Sequence, residues 1–138
     1  MDDYEISLKR PFRNHKWRKG YGGGKDLVYI DARDVMNRLD EVFGISGWQT
    51  GYQNVGGRMI CSLSCKVGDN WITKADGAGD TDIEGEKGGI SDALKRAAVV
   101  WGIGRYLYHP SAFDSNHKPA KWATPEGYDE LMLKRKGD

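Results

Sequence analysis

Cysteine is scarce in this 138-residue chain, which has only Cys61 and Cys65. The two stand four apart in a segment that alternates like a strand, so they share one face. At a rise of ~3.3 Å per residue their Cα atoms would lie ~13 Å apart, outside disulfide reach. Two sulfurs with no histidine beside them also fall short of a zinc site. Both read as small core residues of a chain kept in a reducing cytoplasm. Long apolar runs are missing as well. None approaches the ~18 residues of a membrane span, so no membrane partner is expected. The opening Met1-Asp2-Asp3-Tyr4-Glu5 lacks the basic-then-apolar order of a secretory signal. Its acids argue against a mitochondrial presequence.

Catalytic signatures are equally thin. His15, His109 and His117 have no serine, cysteine or aspartate context that suggests a triad, and read as surface or packing residues. Gly22-Gly23-Gly24-Lys25 resembles a phosphate loop, but a Walker A loop needs glycine where Lys19 stands and serine or threonine where Asp26 stands. Asp80, Asp82, Glu84 and Gly85 mimic the start of a calcium loop, yet its twelfth position is Ser91 rather than glutamate. A two-metal nuclease would hold its carboxylates on rigid elements. These acids lie in a Gly-rich stretch that reads as a solvated loop. The expectation is a protein that is not an enzyme, with no metal and no cofactor.

Charge is present in quantity but nearly balanced, with a formal net charge of +1. The balance hides a separation. Residues 9–25 hold seven Lys/Arg and no acid, whereas residues 69–86 hold six acids against Lys74 alone. Such a chain suits a polyanion at its basic end, or its own copies head to tail. Contact between the acidic loop and a neighbour's basic arm, through Asp80 and Asp82, is one way to close a ring.

The length fits one domain. Residues 1–28 read as a loop-rich basic arm or hairpin, 29–108 as the core and 109–138 as a polar tail. Ala32, Val35, Met36, Leu39 and Phe43 recur at helical spacing, with Asp31 as N-cap and Gly44 as the stop. The period then becomes two. Residues 48–54 predict a strand, Gly56-Gly57 a turn, 58–67 a second strand with Met59, Cys61, Leu63, Cys65 and Val67 inward, and 71–77 a third. Residues 78–89 predict an acidic, Gly-rich mobile loop. A second helix starts at Ile90 or Ser91, with Ile90, Ala93, Leu94, Ala97, Ala98 and Trp101 buried and Pro110 beyond its end. A short helix is expected over 126–135. The fold class is therefore α+β: a three-stranded antiparallel β-meander packed against a long C-terminal helix, in α-β-β-β-α order, with a basic N-terminal arm or hairpin.

Two features point to nucleic acid. The arm interleaves Arg10, Arg13, Lys16, Arg18 and Lys19 with Phe12, Trp17 and Tyr21. Cations hold phosphates without reading sequence, and aromatic faces stack on unpaired bases, which favours single strands over duplex. A solvated arm with its aromatics tucked into the core explains the same composition. The second feature is Lys95-Arg96 within Asp92-Ala93-Leu94-Lys95-Arg96-Ala97. Among apolar neighbours this pair must leave through one narrow face, toward a groove, a partner or plain solvent.

That run, followed by Trp101-Gly102 and Tyr106-Leu107, resembles the signature helix of the Rad-fifty-two family of single-strand annealing proteins. Tyr29-Ile30-Asp31, Phe43-Gly44 and Gly47-Trp48 resemble its opening, in matching order. The resemblance spans about residues 18–108, and the short length is similar to a phage or bacterial Sak-type version. It implies a homo-oligomeric ring that binds single-stranded DNA in a basic groove. It further implies annealing of complementary strands in homologous recombination and double-strand break repair, without nucleotide hydrolysis. It places Lys95 and Arg96 in that groove, Tyr29 beside it, and Lys19 or Arg18 at a hairpin position. The arm's own composition adds Lys16 and Trp17, and Lys74 is a candidate for a second, outer site. Possible further partners are a host single-strand binding protein or recombinase. Three other readings stay open: a duplex-RNA-binding domain of the same element order, a small metal-dependent nuclease using Asp76, Asp80, Asp82 or Glu84, and a purely structural oligomer.

Overall fold

A computed structural model describes residues 2–78 and 86–137. The chain divides into two compact units: Asp31–Ile103, and a second that joins the residues up to Ile30 to those from Gly104 onward.

The unit Asp31–Ile103 opens with helix α2, Ala32–Phe43, which follows the short helix α1, Asp3–Leu8, of the other unit. Asp31 and Asp34 form a reciprocal capping box, the Asp31 N–H donating to Asp34 Oδ2 at 3.0 Å. Gly44 ends the helix at φ +80°, its N–H donating to the Asp40 carbonyl at 2.8 Å. The buried stripe is rotated from the expected one. Val35 and Leu39 are buried, but Met36 is 37% exposed and Arg38 is buried. The inward face runs through 35, 38, 39 and 42, and a long arginine stem packs as an aliphatic residue while its guanidinium reaches Glu41 at 3.5 Å.

Strands β3 (Trp48–Val55), β4 (Arg58–Val67) and β5 (Asn70–Gly77) form the antiparallel meander, in that order. Val55 pairs with Arg58 across Gly56-Gly57, both at positive φ, as a two-residue turn between right-twisted strands requires. Alternation along β4 puts Cys61, Leu63 and Cys65 fully inside, while Ser64 bonds to Thr73 at 2.7 Å on the opposite face. Burial pushes the Cys65 thiol up to about 12.

Helix α3, Glu86–Trp101, lies on that inner face. Ala93, Leu94, Ala97, Ala98 and Trp101 are buried, and the Trp101 indole donates to the Leu63 carbonyl at 3.0 Å. Two expectations are corrected. The helix begins by Glu86, so residues 86–89 are helical rather than loop, and Ile90 is 44% exposed. A Cβ at Gly89 would meet Met59 of β4 at 3.5 Å, so the start of the helix already lies close to the sheet. Residues 79–85 of the expected loop, with Asp80, Asp82 and Glu84, lie outside the described residues.

The second unit contains α1, a hairpin of β1 (Lys16–Arg18) and β2 (Leu27–Tyr29), and helix α4, Pro125–Gly137. The N-terminal segment is thus more than an arm, since Leu8 and Pro11 are buried. Helix α4 was expected over 126–135 and starts one residue earlier. Pro125 suits a first helical position, where no N–H is needed, and the Gly127 N–H donates to Thr124 Oγ1 at 3.1 Å. Tyr128 of α4 donates to the Ile6 carbonyl at 2.7 Å. Among the described residues no helix is long and apolar enough to cross a membrane.

Candidate nucleic-acid interface

Alternation in β1 separates the arm's side chains. Lys16 pairs with Tyr29 and Arg18 with Leu27, so these four share one face of the hairpin. Lys16 and Arg18 are exposed on it, and the Arg18 guanidinium lies 6.0 Å from the centre of the half-buried Tyr29 ring. Trp17 points the other way. Its ring stacks on His117 at 3.7 Å, nearly parallel, and meets the edge of Phe113 at 5.1 Å. His117 adopts φ +65°, unusual for a residue with a Cβ, and its Nε2 lies 3.0 Å from Asp26 Oδ2. His117 therefore fastens the tail to both sides of the hairpin. His15 packs edge-on against Tyr106 and Phe113, and His109 against Trp122, so all three histidines have ring neighbours.

The hairpin ends in a tight turn, Tyr21–Gly23, with exposed Lys19 and Lys25 on either side. Nothing in the sequence singles out Lys25 as a binding residue. Its Gly-Gly-Gly-Lys run draws attention only as a failed phosphate loop, and the turn that presents it is a tertiary feature. Two other cations of the basic segment are engaged by α4. Arg10 holds Asp129 in a two-pronged contact at 2.9 and 2.8 Å, and Arg13 pairs with Glu126. The hydrogen bond from Arg10 holds the Asp129 carboxyl below its ordinary range, and that from Arg13 does the same for Glu126.

On α3 the inward stripe leaves Asp92, Lys95, Arg96 and Val99 on the outward side. Arg96 is exposed and 3.6 Å from Asp92, one turn earlier. Lys95 is half-buried. An exposed pair of this kind is worth ~0–1 kcal/mol, so a phosphate can replace Asp92 at Arg96 at little cost. Lys74 of β5 stands opposite Leu63 and holds its ammonium 5.2 Å from the centre of the Trp101 ring. Among the described residues, no three His, Cys, Asp or Glu side chains converge as metal ligands.

Comparison with known proteins places these elements in a family. The chain matches the Rad52/22 family of double-strand break repair proteins over residues 3–62 and 60–123, stretches that include the hairpin, the sheet and α3. It is similar to the single-stranded DNA-binding protein DdrA of Deinococcus deserti, with 31% identity over 91% of this chain and 72% of the relative. It is also 31% identical to the DdrA of Deinococcus radiodurans, over 78% of this chain but only 56% of that protein. With the match running through both basic elements, the chain belongs to the Rad52/22 family of double-strand break repair proteins.

Proposed function

We propose that this protein binds single-stranded DNA as a homo-oligomeric ring and anneals complementary strands during recombination and break repair, without nucleotide hydrolysis. The observation that carries the reading is the family match across α3, whose alanine face is buried while Lys95, half-buried, and Arg96, exposed, lie on its outward side. The DdrA relatives, named as single-stranded DNA-binding proteins, support the choice of ligand. Annealing needs strands held extended, phosphate repulsion neutralised and base edges left open. Lys95 and Arg96 on α3, and Lys16, Arg18 and Lys19 on the hairpin, supply sequence-independent phosphate contacts of that kind. Tyr29, under the Arg18 guanidinium, keeps that cation in place. Lys74, over the Trp101 ring, fits a packing role as readily as an outer phosphate site. Repetition of a weak per-subunit contact around a ring makes a continuous track.

The test is strand annealing with two labelled complementary oligonucleotides, free of nucleotide and metal, on wild type and Lys95→Ala/Arg96→Ala. Wild type should accelerate annealing and the double variant should lose it. The variant's salt slope for binding should flatten by roughly one to two counterions per subunit, with assembly size by light scattering unchanged. No acceleration by folded, oligomeric wild type would overturn the reading. Preference for duplex RNA in competition would replace it.

A further inference from the structure

Phe12, Trp17 and Tyr21 are the aromatic residues of the basic segment, and their surroundings differ sharply. Phe12 is half-buried, its N–H donating to the Tyr106 hydroxyl at 2.9 Å. Trp17 is half-buried between His117 and Phe113. Tyr21 is 97% exposed.

The turn that carries Tyr21 has a defined backbone. A Cβ at Gly20 would lie 2.2 Å from the Lys25 carbonyl oxygen, so the two sides of the loop close directly on each other. Gly22 and Gly23 take left-handed backbone angles, and the Gly24 N–H donates to the Tyr21 carbonyl at 3.0 Å. Such a turn does not require an aromatic residue, since serine, asparagine or aspartate serve it as well. A large apolar ring held in water on a closed tip loses the burial that normally stabilises it. Exposed Lys19 and Lys25 flank it.

We propose that Tyr21 is the base-stacking residue of the hairpin. Its ring meets an unpaired nucleobase of single-stranded DNA while Lys19 and Lys25 hold phosphates on either side, and Trp17 positions the hairpin from its opposite face. Unpaired bases offer free π-faces of any sequence, whereas duplex bases are already stacked. This inference rests on the single-strand reading above and assigns the base contact within it.

The test measures anisotropy of labelled oligo(dT), and of an abasic deoxyribose-phosphate oligomer of equal length, with wild type, Tyr21→Ala and Tyr21→Phe over a salt series. Tyr21→Ala should weaken oligo(dT) binding roughly ten-fold with the salt slope intact. Its affinity for the abasic oligomer should stay at the wild-type value, and Tyr21→Phe should behave as wild type. Equal losses on both oligomers, or no loss on oligo(dT) while wild type binds it, would overturn the proposal. A change in assembly size with oligo(dT) affinity intact would also overturn it and make Tyr21 a self-contact. Wild type that binds neither oligomer would instead remove the single-strand reading, and this inference with it.

Discussion

The two compact units are held together by different physics. In Asp31–Ile103 the sheet joins neighbours in sequence: β3 to β4 across Gly56-Gly57, and β4 to β5 across Gly68-Asp69. Its core is a regular alternation, Cys61, Leu63 and Cys65, under a stripe of alanines. The other unit depends on partners far apart in the chain. Arg10 meets Asp129 across 119 positions, Tyr128 meets Ile6 across 122, and His117 meets Asp26 across 91. The first kind of unit is fixed by burial of a periodic apolar face. The second is fixed by individually placed polar and aromatic contacts, each of modest strength, closing long loops.

The largest test of that contrast is Leu63→Ala. Leu63 is fully buried at the centre of β4, and its truncation should cost about 2–5 kcal/mol by chemical denaturation. A cost below ~1 kcal/mol would mean that the alternating face is not the main support. Trp17→Ala comes next. It removes the stack on His117 and the edge contact with Phe113, and because the ring is only half-buried it should cost about 2 kcal/mol. Hydrogen exchange should show protection lost on β1, β2 and residues 113–119 but kept on β4. Equal loss in both units would break the distinction drawn between them. Asp129→Asn should give the smallest effect. Both partners are more than 40% exposed, so solvent screening leaves ~0.5–1 kcal/mol. The hydrogen bond from Arg10 holds the folded carboxyl below the ordinary aspartate range, so its contribution is present above that ordinary range and fades as pH falls through the lower folded value. Acid titration of stability should show this loss in wild type and not in Asp129→Asn.

The contrast also explains what could be read in advance. The meander, its glycine turns, the Asp31 cap, the alanine stripe and the outward Lys95-Arg96 pair were legible because period and turn chemistry are local. Met36 and Ile90 were misplaced because a helix can rotate or extend by a few residues when a neighbour offers packing. Arg38 turned inward on its aliphatic stem for a similar reason. Short helix α1 was not legible at all, having too few turns to show a period. In the basic segment, composition could count cations and rings but not sort them. Alternation within β1 sets Trp17 on the face opposite Lys16 and Arg18, and only the contacts with His117 and Phe113 decide that its face is the covered one.

The sequence by itself determined the α+β class, the strand order, the burial of both cysteines and the family, because alternation, helical spacing and motif order are properties of neighbouring residues. The tertiary structure decided which basic residues are engaged by α4, which ring anchors the hairpin and which one stands in water. Those choices depend on partners roughly a hundred positions away, and no local pattern encodes such meetings.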